Sequence, residues 1–179
     1  LNIIYLLFRF PLTLIFALLL NEIKNIHWKK FVQTVSYLPH FISMVIIAGM
    51  IREMLSTNGP INGFLTAHGH EVISFMALPE WFTTIFVGSG LWQGLGWGTI
   101  LYLAAIAGIS PDLYEAAEID GAGKWQQTLN VTIPGITPTI ITMFILRVGN
   151  LMSMGYEKTI LLYSSATYET ADIISSYIY

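Results

Sequence analysis

The residues whose types and spacing best suit a specific contact lie in one polar segment between two long apolar stretches. The segment contains Tyr114-Glu115-Ala116-Ala117 and Asp120-Gly121, then nine residues, then Val131-Thr132-Ile133-Pro134. Glu115 offers a negative charge, while the two alanines keep a helix slim enough to enter a groove. Gly121 tolerates the positive φ that ends such a helix. With the apolar side chains of Leu113, Tyr114 and Trp125, these residues predict a docking helix for a partner protein.

Local signals place these residues on a short helix followed by a tight turn. Ser110 suits the N-cap, Pro111 the first helical position, and Asp112 the positive end of the helix dipole. We expect helices over Pro111–Ile119 and Gly123–Val131, so that residues 110–134 form a helix–turn–helix at the membrane surface. An amphipathic helix resting on the bilayer is the alternative. However, the segment has four acidic residues and one lysine, which anionic lipid would repel, so a protein partner is favoured.

A second group of polar and aromatic side chains lies inside the apolar segments. Trp92, Gln93 and Trp97 are suited to line a solute pathway, because aromatic faces and an amide can hold a sugar by stacking and hydrogen bonding. The alternative is an interfacial aromatic belt shared with Trp81. Trp92 and Trp97 lie deeper along the helix than Trp81, so the belt explains them less well.

Arg147 is a charge within an apolar segment, and such charges usually face a cavity or a protein partner. Asn150 shares its face at helical spacing. Two interpretations stay open: Arg147 and Asn150 line the solute pathway, or Arg147 forms a buried pair with Glu157, Asp172 or an acid of another subunit. Arg9 is a similar charge, which could also extend to the membrane surface.

Gly90, Gly94 and Gly98 recur every four residues in the same apolar segment. This spacing forms one smooth stripe on a helix and allows close approach of a neighbour. We expect helix packing there. A gating hinge is the alternative, since Gly96 adds local flexibility.

Several kinds of chemistry are absent from the sequence. It has no cysteine, and His68 and His70 alone are too few for a metal site. No Gly-x-x-x-x-Gly-Lys-Ser/Thr phosphate loop is present, so we expect no ATP or other cofactor to be bound by this chain. No catalytic constellation is recognisable. The net charge of −3 includes no basic block, which speaks against nucleic-acid binding.

The composition is that of a polytopic membrane protein. Of the 179 residues 54% are hydrophobic and 11% charged, and mean hydropathy is +0.63, whereas a soluble domain is about 25% charged. Four segments are long enough to cross a bilayer, and they occupy residues 3–20, 35–55, 81–109 and 136–155. We therefore predict an all-α membrane protein: a bundle of four transmembrane helices with a cytoplasmic helix–turn–helix loop.

The charges of the connections predict the orientation. Residues 21–33 carry Lys24, Lys29 and Lys30, whereas residues 56–80 have neither lysine nor arginine. Cytoplasmic loops are enriched in these cations. Residues 21–33 and 110–134 are thus expected in the cytoplasm, and 56–80 and 156–179 outside.

The segment Glu115-Ala116-Ala117, Gly121 and Val131–Pro134 resembles the EAA loop of ATP-binding-cassette (ABC) importer permeases, with Val131 and Ile133 where isoleucine and leucine are usual. Three other stretches resemble LplB-type carbohydrate permeases, so that the resemblance covers nearly the whole chain: Gln33–Ser43, Ile100–Ile109 and Leu146–Gly149. A complete member of that family has further spans before Leu1 and after Tyr179. The resemblance thus implies that residues 1–179 are a permease domain incomplete at both ends.

The resemblance implies a non-catalytic subunit of a bacterial plasma-membrane importer for a sugar or oligosaccharide. Its partners would be ABC ATPase subunits, which bind ATP and Mg²⁺ and dock on the loop, a second permease of a different chain, and an external solute-binding protein. It implies ATPase docking by Tyr114, Glu115, Ala116, Ala117, Asp120, Gly121 and Pro134. A secondary carrier or a membrane-embedded enzyme is the alternative, but either would need intramembrane acids or histidine pairs that the sequence lacks.

Overall fold

The computed structural model describes residues 2–151 and 156–162, and every regular element within these ranges is helical. The α-helices are α1 (Asn2–Glu22), α2 (Ile26–Tyr37), α3 (Met44–Met54), α4 (Pro60–Ala67), α5 (Pro79–Gly98), α6 (Ile100–Ala107), α7 (Pro111–Ile119), α8 (Lys124–Gln127), α9 (Ile133–Gly149) and α10 (Tyr156–Leu162). A 3-10 turn, Leu38–Phe41, follows α2, and a π-helical turn, Thr128–Thr132, joins α8 to α9. The predicted all-α class is confirmed.

Two helices are by themselves long and apolar enough to cross a membrane: α1, and the continuous helix Lys124–Gly149. Only 22% of the apolar window of α1 and 11% of that of Lys124–Gly149 are buried within the chain, so lipid or other protein must cover the rest. Two bent pairs qualify in addition: Ile26–Phe41 with Met44–Met54, and Pro79–Ala107 with Pro111–Ile119. If each pair is one span, the described residues contain up to four spans.

The second predicted span is wrong in its course. The sequence predicted one helix over residues 35–55, with Pro39 near its start. Instead α2 begins at Ile26, inside the predicted loop, and ends before Pro39; α3 then departs at 98° to it. Leu38, before Pro39, keeps helical dihedral angles, and the chain continues through the 3-10 turn Leu38–Phe41. The change of direction lies at Ile42 and Ser43, whose backbones are extended.

The fourth predicted span is displaced toward the N-terminus. The sequence predicted a short helix over 123–131 and a separate span over 136–155, but α8, the π-helical turn and α9 form one helix that ends at Gly149. Pro134 lies in the first turn of α9, where a missing N–H costs little. Residues 152–155 lie outside the described ranges.

Helix α5 is the centre of the packing. It contacts α1 on one side and α2 on another, while α6 contacts α1 and α9, and α10 packs on α3. One hydrophobic cluster joins α1, α3, α5 and α10 near the start of α5, and consists of Tyr5, Ala48, Phe82, Phe86, Val87 and Leu162.

Candidate functional site

Helix α7 is capped at both ends, as the sequence predicted. The Ser110 hydroxyl accepts a hydrogen bond from the backbone N–H of Asp112 at 3.3 Å. At the other end Gly121 has φ +78°, and the N–H groups of Gly121 and Ala122 donate to the carbonyls of Glu118 and Ala117 at 3.0 and 2.8 Å. This pair of bonds with a left-handed glycine is a Schellman motif, and it fixes where α7 stops.

Side-chain contacts hold α7 against the helix that follows it. Lys124 Nζ lies 3.4 Å from Glu118 Oε1, and the buried Gln127 amide donates to the carbonyl of Ala122 at 2.9 Å. The Tyr114 and Thr132 hydroxyls are 2.9 Å apart. The direction of α7 is therefore coupled to the helix Lys124–Gly149, so that a force on α7 reaches that helix.

The outer surface of this loop is apolar with an acidic margin. Leu113, Ile119 and Trp125 are 54%, 86% and 73% exposed. Ala116 is exposed between Leu113 and Ile119, and Glu115 is exposed at the margin of this surface. A solvated loop rarely leaves three such side chains uncovered. Ile119 was not recognised from the sequence as a contact residue, because it stands at the predicted end of the helix.

Not every residue of the predicted docking set points outward. Tyr114 is half-buried and its hydroxyl is used by Thr132, so here it positions α7 and differs from Leu113. Ala117 is half-buried too, whereas Asp120, Gly121 and Pro134 are exposed. Behind α7 lies a cleft of about 360 Å³, formed with the ends of α1 and α6 and lined by Asn21, Ile106, Ala107, Ile109, Pro111, Tyr114, Glu115 and Glu118.

The break after α2 meets α5 at two of the predicted pathway residues. Trp97 stacks on His40 with ring centroids 4.5 Å apart and planes 7° apart, and Phe41 meets the same indole edge-on at 5.5 Å. The Gln93 amide donates to the free carbonyl of Ile42 at 3.3 Å. Trp97 lies ten residues before the end of α6, about 15 Å along the helix. Non-helical backbone at such depth must be covered by protein or border a cavity.

Trp92 lies apart from Gln93 and Trp97. It lines an apolar groove of about 500 Å³ between α3, α4 and α5. The predicted trio is therefore divided, and His40 and Phe41 take the place beside Trp97. These two residues were missed because the sequence placed them inside a regular span, although the Pro39 next to them was the available signal.

Arg147 lies beside Arg9. Both guanidinium groups line a cavity of about 10 Å³ together with Tyr5, Thr13 and Tyr102, between α1, α6 and α9. Within the described ranges no carboxylate lies within 4.0 Å of Arg147, so the predicted pair with Glu157 is not formed, and Asp172 lies outside those ranges. Asn150 is exposed, and its amide donates to the carbonyl of Leu146 at 3.0 Å.

The glycine stripe of α5 faces α1. A Cβ atom at Gly90, Gly94 or Gly98 would lie within 2.8 Å of Tyr5, Arg9 and Thr13 respectively. These three partners also recur every four residues, so the two stripes are in register. Gly96 faces the other way, toward the backbone of Ser36 on α2.

Comparison with known proteins adds to this geometry. Residues 9–162 match the family described as the binding-protein-dependent transport system inner membrane component. The chain is 40% identical, over 171 residues, to the polygalacturonan/rhamnogalacturonan transport system permease protein YteP of Bacillus subtilis strain 168, a match that covers 95% of this chain and 53% of YteP. It is also 40% identical to Protein LplB of the same organism, over 97% of this chain and 55% of LplB.

The chain is similar to solved structures as well. It superposes with a TM-score of 0.97 and 45% identity on a chain of a bacterial ABC transporter involved in the import of the acidic polysaccharide alginate, covering 99% of this chain and 63% of that one. A second crystal structure, of the bacterial alginate ABC transporter in complex with an alginate pentasaccharide-bound periplasmic protein, gives a TM-score of 0.96. The chain spans about half the length of the curated relatives it matches.

Proposed function

The chain belongs to the inner membrane component family of binding-protein-dependent transport systems, and from that premise we propose that it is part of the permease subunit of an ABC importer. The subunit would carry a solute through the bacterial plasma membrane without catalysing a reaction itself. ATP and Mg²⁺ would be bound by a separate ATPase subunit. A second permease of a different chain and an external binding protein complete the proposed assembly.

The observation that carries this proposal is the form of α7. It is a short helix with both ends capped, an exposed apolar surface and a fixed connection to the helix Lys124–Gly149. Coupling between two subunits requires a contact whose strength differs between two states and an element stiff enough to transmit the difference. We infer that Leu113, Ile119 and Trp125 enter a groove of the ATPase, and that Glu115 meets a basic residue there.

We propose an oligosaccharide as the solute. Support comes from the carbohydrates named for YteP and for the alginate importer. Trp97 and Phe41 offer partly exposed aromatic faces beside the Gln93 amide, and such faces suit the C–H side of a sugar ring.

The decisive experiment reverses the charge of Glu115. Glu115→Lys should weaken binding of the purified ATPase to the permease pair by about tenfold or more, which corresponds to ~1.4 kcal/mol. The control is Glu71→Lys, the same change at an exposed carboxylate on the predicted external loop. Association is measured by co-purification and titration, and coupling by sugar uptake into proteoliposomes per ATP hydrolysed.

The two variants should behave differently. Glu71→Lys should retain ATPase binding, and Glu115→Lys should lose it or hydrolyse ATP without uptake. Normal assembly, hydrolysis and uptake by Glu115→Lys would refute α7 as the docking element.

A further inference from the structure

Cationic side chains from three helices converge around the ring of Tyr5. Arg9 Cζ of α1 lies 5.3 Å and Lys158 Nζ of α10 lies 5.9 Å from the centroid of that ring. Arg147 of α9 lines the same small cavity as Tyr5 and Arg9. Three basic side chains are thus gathered in one place within the apolar bundle.

This cationic cluster, defined as Arg9, Arg147 and Lys158, lacks negative charge among the described residues. The ion pair found in those ranges, Lys124–Glu118, belongs to the α7 loop. Lys158 is 6% exposed and donates to the carbonyl of Phe86. The Nε of Arg9 is buried without a hydrogen-bond partner. Like charges this close repel each other strongly in an apolar environment, so an anion would stabilise all three.

The accessible part of the cluster is formed by the two arginines. Both are partly exposed and border the cavity of about 10 Å³ that also touches Tyr5 and Tyr102, which has room for about one water-sized group. A sugar ring therefore stays outside, and only a small anionic group reaches in. Guanidinium is the side-chain group that matches the two oxygens of a carboxylate. Lys158 also lies against the Tyr5 ring but does not line this cavity. It would therefore add to the positive electrostatic potential without touching the bound group.

The cluster adjoins the aromatic and amide groups of the proposed solute pathway. Arg9 lies against Gly94 of α5, which is next to Gln93 and one helical turn from Trp97. Aromatic faces beside guanidinium groups match a ligand that has a C–H ring face and a carboxylate. A permanent ion pair with another subunit would need neither the water-sized cavity nor the adjacent aromatic residues.

From this geometry we propose that Arg9 and Arg147 form a carboxylate-binding site, and that the imported solute is an acidic oligosaccharide containing uronate residues. The inference rests on the proposed function, since it specifies the solute of that same pathway. Arg147 binds the carboxylate directly, Arg9 orients it, and Lys158 strengthens the positive potential at both.

The test measures uptake into proteoliposomes by the whole complex with its cognate binding protein. The solutes are galacturonate and mannuronate oligomers, the same oligomers as methyl esters, and neutral oligosaccharides. Each solute is compared only between permease variants, so that the preference of the binding protein cancels. Arg147→Gln should lower uptake of the acidic oligomers by about tenfold or more, the factor expected for one charge-assisted hydrogen bond. Uptake of esters and neutral sugars that the wild type carries should change less than twofold.

Two control variants complete the design. Arg147→Lys should recover part of the uptake because it restores the charge, and Lys30→Gln should match the wild type because Lys30 is exposed on α2, away from the cluster. Equal loss for acidic and neutral solutes, or loss of the assembled complex in both Arg147 variants, would overturn the site in favour of a structural ion pair. The wild-type complex is also measured in liposomes that contain no anionic lipid. If its uptake there falls as much as that of Arg147→Gln, the cluster binds the phosphate of an anionic lipid and not the solute.

Uptake by the wild-type complex distinguishes failure of the carboxylate site from failure of the proposed importer function. Uptake of neutral oligosaccharides alone would leave the importer standing and overturn the carboxylate site. Uptake of neither class would refute oligosaccharide import itself, and the carboxylate site with it.

Discussion

Gly121 shows how one residue determines where α7, the proposed docking helix, ends and turns. Its φ of +78° lies in the left-handed region, where any residue with a Cβ is strained by about 1–2 kcal/mol. Gly121→Ser should therefore loosen the turn between α7 and α8 and lower uptake per ATP hydrolysed. Amide hydrogen exchange of Gly121 and Ala122, whose N–H groups close the turn, should become faster.

The control for this change lies two residues away. Gly123 has φ −69° and precedes α8 as its N-cap, a position that favours serine. Gly123→Ser should thus leave exchange and uptake unchanged. Similar effects of both variants would mean that loss of glycine flexibility in general, and not the left-handed turn, is what matters.

Individual residues were predictable where one local rule decides their conformation. Ser110, Pro111 and Gly121 follow capping preferences and take the expected places. The sequence predicted residues 156–179 as an external connection, but Lys158 within it is buried against Phe86. Its position depends on the contact of α10 with α3 and α5, which no rule within a few residues along the chain contains.

Elements were predictable where hydropathy and helix direction agree. The first apolar segment became α1 with nearly the predicted bounds. The second failed, because hydropathy reports that residues 35–55 are apolar but not that their path turns by 98° near the middle. What fixes that turn is tertiary: the Gln93 amide binds the free Ile42 carbonyl, and Trp97 covers His40.

Contact between α2 and α5 depends on Gly96. A Cβ there would lie 2.5 Å from the carbonyl carbon and 2.8 Å from the Cβ of Ser36, much closer than nonbonded carbon atoms approach. Backbone atoms cannot rotate away as a flexible side chain does. Gly96→Ala should therefore separate the two helices and destabilise the subunit by about 1–3 kcal/mol, which is measured as a lower thermal unfolding midpoint of the purified complex.

Gly88 of the same helix provides the matched control. A Cβ at Gly88 would meet nothing within 4 Å, so Gly88→Ala should keep the unfolding midpoint of the wild type or raise it slightly, since alanine favours the helix. An unchanged midpoint for Gly96→Ala would show that α2 and α5 are not held together through this contact.

At the scale of the whole molecule, the described chain leaves much apolar surface uncovered. Side chains such as Ile3, Leu7 and Ile145 are more than 60% exposed, and the apolar windows of both long helices are largely unburied. Lipid covers such surfaces, and so do neighbouring subunits. The membrane fold class could be predicted from composition because most of these side chains need an apolar environment, whichever direction their helices take.

Orientation in the membrane is the last property that the sequence predicts, and it decides which partners the loops can meet. From the lysines of residues 21–33 we predict that this connection and α7 lie in the cytoplasm and that the loop containing α4 lies outside. The chain has no cysteine, so single cysteines can be labelled without background. Glu22 and His70 are exposed and therefore suitable positions for such cysteines. Replacing Glu22 should not change the orientation, because acidic residues contribute little to it. Asn62 is unsuitable, because it is 1% exposed and hydrogen-bonded to Ile73 and Ser56. An impermeant reagent should label His70→Cys in intact cells, and Glu22→Cys only after permeabilisation. If the reagent labelled Glu22→Cys but not His70→Cys in intact cells, the predicted orientation would be reversed. Helix α7 would then lie outside, where no ATPase could dock on it.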